Sequence, residues 1–135
     1  MRFDKFTVKA QEALANAQSL AAQKQHGEVT ALHVLSALLA DRDGIIRPLL
    51  AKLGVDAGHL ESAIETQLDR LPSVSGGAQL GMARDVSEVL AAAQKEADRL
   101  KDEYLSTEHL LLGLIASQSA AKNALTSSGI NKNAL

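Results

Sequence analysis

The chain matches itself. Laid so that Val8 falls on Arg84, residues 8–40 align with residues 84–116 without a gap, and ten of the 33 pairs are identical. They are Glu12/Glu88, Leu14/Leu90, Ala15/Ala91, Ala17/Ala93, Gln18/Gln94, Ala21/Ala97, His33/His109, Leu35/Leu111, Leu38/Leu114 and Ala40/Ala116. Shared alanine and leucine would give about three such matches by chance, so the sequence holds two copies of one unit. After a one-residue shift, Leu53-Gly54-Val55-Asp56 resembles Ser128-Gly129-Ile130-Asn131. The second copy then stops while the first still has residues 57–71 to run. One domain is expected over 1–135, with repeat one at 3–71, a linker at 72–81 and an incomplete repeat two at 82–135. A chain that ends inside a repeat reads as a piece of something longer.

Composition sets the class of unit. With 23 alanines, 22 leucines, 2% aromatic residues and two prolines, the chain favours helices over strands, which want β-branched and aromatic side chains. The expected fold is all-α: a pseudo-twofold pair of four-helix repeats, about eight helices, the last one truncated. Without cysteine, disulfide scaffolds, thiolate zinc sites, iron–sulfur clusters and cysteine nucleophiles are excluded. A net charge of −2, with no strongly basic segment and few aromatic residues, argues against nucleic acid as a partner. No apolar run approaches the ~20 residues that span a bilayer, and Met1-Arg2-Phe3-Asp4 does not open a signal peptide. No membrane association is expected, and a cytosolic setting is.

In each copy the first helix is long. Thr7 is a fitting N-cap, followed by Ala10, Ala13, Leu14, Ala17 and Ala21 at helical spacing, with Gly27 as the expected end. Its counterpart is expected from about 83 to 101, and its ten charged residues between Arg84 and Glu103 read as a solvated face. The second helices are apolar nearly all round. Only His33 and Ser36 are polar between Ala31 and Ala40, and only the histidine between His109 and Ala116. Each is therefore expected to lie buried at the centre of its own small bundle, with Thr30 and Ser106 at the N-cap. A third helix is expected over 46–53, with Pro48 in its first turn and Gly54 closing it. A fourth should run from an Asp56 cap to about Arg70. Pro72, Gly76, Gly77 and Gly81 mark 72–81 as a linker, mobile at Gly76–Gly77.

Catalytic signatures are missing. There is no phosphate-binding glycine loop followed by Lys-Ser/Thr, no Gly-x-Gly-x-x-Gly and no His-Glu-x-x-His. His33 and His109 could form a two-histidine metal pair from two repeats, although such residues are more often core or capping groups. Glu108 and His109 are not a ready acid/base dyad, since neighbours on a helix point about 100° apart. No enzymatic activity, metal or cofactor is expected in this segment. A duplication creates a seam between like surfaces, and such seams suit an extended or helical apolar ligand. A passive helical spacer is the competing reading.

Phe6-Thr7 opening a long helix, and Tyr104-Leu105-Ser106-Thr107-Glu108-His109-Leu110-Leu111-Leu112-Gly113-Leu114 in the second copy, resemble the Clp N-terminal domain of AAA+ unfoldases. The opening Met1-Arg2-Phe3-Asp4-Lys5-Phe6-Thr7 and Leu68-Asp69-Arg70-Leu71-Pro72 look most like the ClpB-type, disaggregating branch. The resemblance implies a substrate-recognition domain for unfolded or aggregated polypeptides. It also implies ATPase modules using ATP and magnesium elsewhere in the full chain, a homohexamer formed by those modules, cooperation with the DnaK system and a cytoplasmic location. Carried over residue by residue, it nominates Thr7, Leu90, Ala92, Glu96, Asp102, Glu108 and His109 for substrate contact. Several family members have leucine at the positions of Ala92, Glu96 and His109, which predicts a shallower, more polar groove here. ClpC-type members repeat Thr-Glu-His in both copies for adaptor or phosphoarginine recognition. Here the first copy reads Thr30-Ala31-Leu32-His33, so only Glu108 remains for that alternative.

Overall fold

A computed structural model describes residues 5–74 and 80–129. The residues expected to make the linker mobile, the opening Met1-Arg2-Phe3-Asp4, and Ile130-Asn131 at the end of the second-copy match lie outside that range. Seven helices are present among the described residues: α1 (Val8–Gln23), α2 (Ala31–Ala40), α3 (Ile46–Lys52), α4 (Ala57–Asp69), α5 (Arg84–Arg99), α6 (Thr107–Ala116) and α7 (Ala120–Ser127). Repeat one supplies α1–α4 and repeat two α5–α7; a counterpart of α4 would fall beyond Gly129. The all-α expectation holds, with one addition. Two short strands, β1 (Glu28–Val29) and β2 (Gly81–Met82), pair in parallel. Strands of two residues carry no periodicity from which to expect them.

Equivalent positions in the two repeats have equivalent geometry. Leu35 and Leu111 are both fully buried. Gln25 and Lys101 both adopt φ 59°, a left-handed conformation uncommon outside glycine. That residue is what ends α1. The His26 amide bonds back to Ala21 O (2.9 Å) and the Gln25 amide to Ala22 O (3.1 Å), with the same pair at Asp102–Ala97 (2.9 Å) and Lys101–Asp98 (3.0 Å). These are Schellman closures, so Gly27 is not the terminator its residue type suggested. Gly54 (φ 82°) closes α3 in the same way, and Gly129 (φ 99°) follows α7 in the same left-handed conformation, its amide bonding to Thr126 O at 3.1 Å.

The repeats are not two separate bundles, however. A single hydrophobic core contains residues of both, including Leu35, Leu38, Leu39, Leu60 and Ile64 from one and Leu110, Leu111, Leu114 and Leu125 from the other. Central helices α2 and α6 touch each other, and α7 packs on α4 as well as on α2 and α6. The segments leading into the long helices are exchanged. The Thr7 amide, before α1, donates to Leu105 O before α6 (2.9 Å), while the Ala83 amide, before α5, donates to Val29 O before α2 (2.8 Å). Each repeat thus supplies the strand that pairs beside the other's central helix. Asp85 of α5 adds to the exchange by accepting the amide of Ala31, the first residue of α2, at 3.1 Å.

Candidate functional site

The nominated residues separate into two groups. Thr7 caps α1 with its hydroxyl, accepting the Ala10 amide at 3.1 Å, and its own amide holds Leu105. Leu90 is buried in the core. Ala92 and Glu96 lie half-buried along α5, where Glu96 takes two hydrogen bonds from Arg99 at 3.0 and 2.8 Å.

Asp102, Glu108 and His109 are brought together at the start of α6. The hydrogen-bonding atoms of all three lie within 4.8 Å of one another. His109 is the third residue of α6 and does the work a glutamate or glutamine does in the usual capping box. Its Nδ1 accepts the Ser106 amide at 2.8 Å. A backbone amide can only donate, so Nδ1 carries no proton and Nε2 does; Nε2 donates to Asp102 at 2.8 Å. The trio has the residue types of a cation site, but both ring nitrogens are already engaged, and an ion at Nε2 would have to displace that proton. In repeat one His33 caps in the same way, Nδ1 taking the Thr30 amide at 2.9 Å. Both histidines expected to be either a metal pair or caps are caps. Burial, aided by the nearby charges of His26 and Lys24, pushes His33 down to about 4.

Around the start of α6 the surface is hollowed on two sides. A cleft of about 150 Å³, lined by Lys9, Glu12, Asn16 and Asp41 among others, reaches Thr107. A wider groove of about 380 Å³ is walled by Ile45, Pro48 and Leu49, with Asp43, Lys52 and Glu108 at its edge. Ile45 is 51% exposed while its neighbour Ile46 is 3% exposed. Of the seven nominated residues, only Glu108 lines this groove. The apolar wall comes from repeat one and was missed. The local signal was two consecutive isoleucines before Pro48, of which a helix can bury only one on its inner face.

Comparison with known proteins bears on the family and the fold. Residues 5–128 match the Clp repeat (R) N-terminal domain. The chaperone protein ClpB of Rhodopirellula baltica is 43% identical over 134 residues, 99% of this chain and 15% of that protein. The ClpB of Propionibacterium freudenreichii is 37% identical over 100% of this chain and 16% of its own length. The chain therefore spans about a sixth of these relatives. Among solved structures, the Hsp104 N-terminal domain of Candida albicans superposes with a TM-score of 0.83 at 25% identity, covering 94% of this chain and 83% of that one. A ClpV N-domain in complex with a VipB peptide has the same fold, with TM-score 0.78 at 23% identity over 96% of this chain and 81% of that one. Among the described residues no helix is long and apolar enough to cross a membrane.

Proposed function

The chain belongs to the Clp repeat N-terminal domain family, and from that premise we propose that it is the non-catalytic substrate-recognition part of a ClpB-like disaggregase. It engages exposed apolar stretches of unfolded or aggregated protein and hands them to an ATPase ring. The observation that carries this reading is the open groove between α3 and α6, with exposed Ile45 and Pro48 and half-buried Leu49 beside Glu108. A shallow wall without aromatic anchors holds an extended segment weakly and lets it go, which suits a domain that must release its client. The peptide-bound ClpV N-domain supports the idea that this fold accommodates a peptide. In the whole protein, ATP and magnesium serve separate modules that assemble as a homohexamer, the DnaK system cooperates through other domains, and the setting is cytoplasmic.

Titrating the chain with a permanently unfolded, carboxymethylated protein tests the reading. NMR shifts at Ile45, Leu49 and Glu108 are expected, with a dissociation constant of about 1 μM or weaker. Ile45→Ser should weaken binding several-fold, and shifts confined to the opposite face would overturn the assignment. Glu108, exposed within Thr107-Glu108-His109, favours a second reading as a single adaptor or phosphoarginine site. Leu32, in the place of the other glutamate, is buried. Competition by a phosphoarginine peptide but not by unfolded protein would select that reading.

A further inference from the structure

His26 and His33 meet where α1 ends and α2 begins. Both are buried, and His26 Nδ1 lies 2.8 Å from His33 Nε2. The Thr30 amide donates into His33 Nδ1 at 2.9 Å, and the Thr30 hydroxyl lies at 2.9 Å from the same nitrogen. That nitrogen is therefore unprotonated, so His33 bears its hydrogen on Nε2 and donates it to His26 Nδ1. His26 in turn has its hydrogen on Nε2. Each ring's only protonatable nitrogen is already accepting a hydrogen bond, so the closed arrangement requires both rings to be neutral.

This pair also anchors the start of the connection between the repeats. His26 pairs with Ser73 as an antiparallel bridge, and the Val74 amide donates to Gln25 O at 2.7 Å. A cleft of about 220 Å³ above the pair is lined by His26, Thr30, Leu71, Pro72 and Val74. The charged groups around it are few. Lys24, at the end of α1, is held by Glu65 and Asp69 of α4 at 2.6 and 3.0 Å. Glu28 of β1 lines the same cleft. Asp85 of α5 holds the Ala31 amide. Residues 71–74 contribute no titratable side chain. In the second repeat Asp102 stands where His26 stands and Ser106 where Thr30 stands; the Asp102 carboxylate accepts the His109 Nε2 hydrogen, and a carboxylate attracts the positive charge that a second imidazole would repel.

We propose that the His26–His33 pair is a proton-operated latch. Proton uptake breaks the hydrogen bond between the rings and frees residues 71–74 and the start of α2 from the end of α1. Repeat one then opens in mild acid while repeat two stays closed. The depression of His33 to about 4 agrees, because the closed state refuses the proton. A released histidine has an ordinary value of about 6.5, so the proton that His33 refuses in the closed state should raise the open population about eightfold between pH 7 and pH 5.5.

Native-state hydrogen exchange by NMR, corrected for the intrinsic pH dependence, reads the latch at the Val74 and Thr30 amides. In the wild type their protection should fall about eightfold over that range, while the Asp102 and Ser106 amides change much less. His26→Asp, which copies the second repeat, should abolish the effect. Asp102→His, which copies the first, should transfer it to Asp102 and Ser106. The latch is overturned if Val74 and Thr30 open only with global unfolding at every pH, or if His26→Asp keeps the dependence. Should His26→Asp fail to fold, absence of any gain in Asp102→His overturns it equally.

Discussion

His33 is fully buried, and its depression to about 4 makes it a contributor to acid stability with a definite sign. Below pH 6.5 the unfolded chain binds a proton that the folded chain refuses, so stability falls between pH 6.5 and about 4 and is flat above that window. Urea titrations at pH 7.5 and pH 5 should differ by about 2 kcal/mol from this residue alone. His33→Gln, which keeps a capping acceptor, should remove most of that difference. A second single-residue test lies at Gly113. A Cβ there would stand 2.5 Å from Val89 O and 3.0 Å from Ala93 N, both backbone atoms. Gly113→Ala should cost about 1–3 kcal/mol, read from the urea midpoint. The aligned positions in repeat one are Ala37 and Ala13, so a methyl on the central helix there becomes a larger valine on the long helix here. At this scale the Thr7 cap was legible, because a hydroxyl before an apolar-periodic run has a local mechanism. The partners of His33 and His109 were not legible, since each depends on which residue seven positions upstream is folded back by the left-handed turn.

Helices are where sequence and structure agree best. The limits of α2, α3 and α4 follow from buried runs, Pro48, Gly54 and the Asp56 cap, which accepts the His59 amide at 3.2 Å. The end of α1 was misplaced because the left-handed turn is made by Gln25 rather than by a glycine. What local pattern cannot supply is support from another element, and α2 has such support. Its first amide is held by Asp85 of α5, placing a carboxylate against the positive end of the helix. Asp85→Ala should destabilise by about 1 kcal/mol in thermal or urea unfolding. Asp85→Asn keeps an acceptor without the charge and should fall between the two. The aligned residue in repeat one is Lys9, so its removal should lack this effect. The groove shows the same limit: Ile45 belongs to repeat one, yet it becomes a wall only because Glu108 of repeat two stands beside it.

For the molecule as a whole, the duplication was legible and the way its halves combine was not. Apolar patterning reports that a helix is buried but not by which copy, so two self-contained bundles were expected where one shared core exists. Fragments 1–74 and 80–135 should each show little helix by circular dichroism alone, and mixing them should restore it in a concentration-dependent way. Two independently helical fragments would contradict the shared core. The exchanged strands at Thr7–Leu105 and Ala83–Val29 have a consequence for ancestry. A lone primordial copy would have carried one outstretched arm and one empty slot of matching shape, and two such chains would have clasped hands as a homodimer. Fusing two such genes would turn that encounter, subject to dilution, into a permanent union within a single polypeptide.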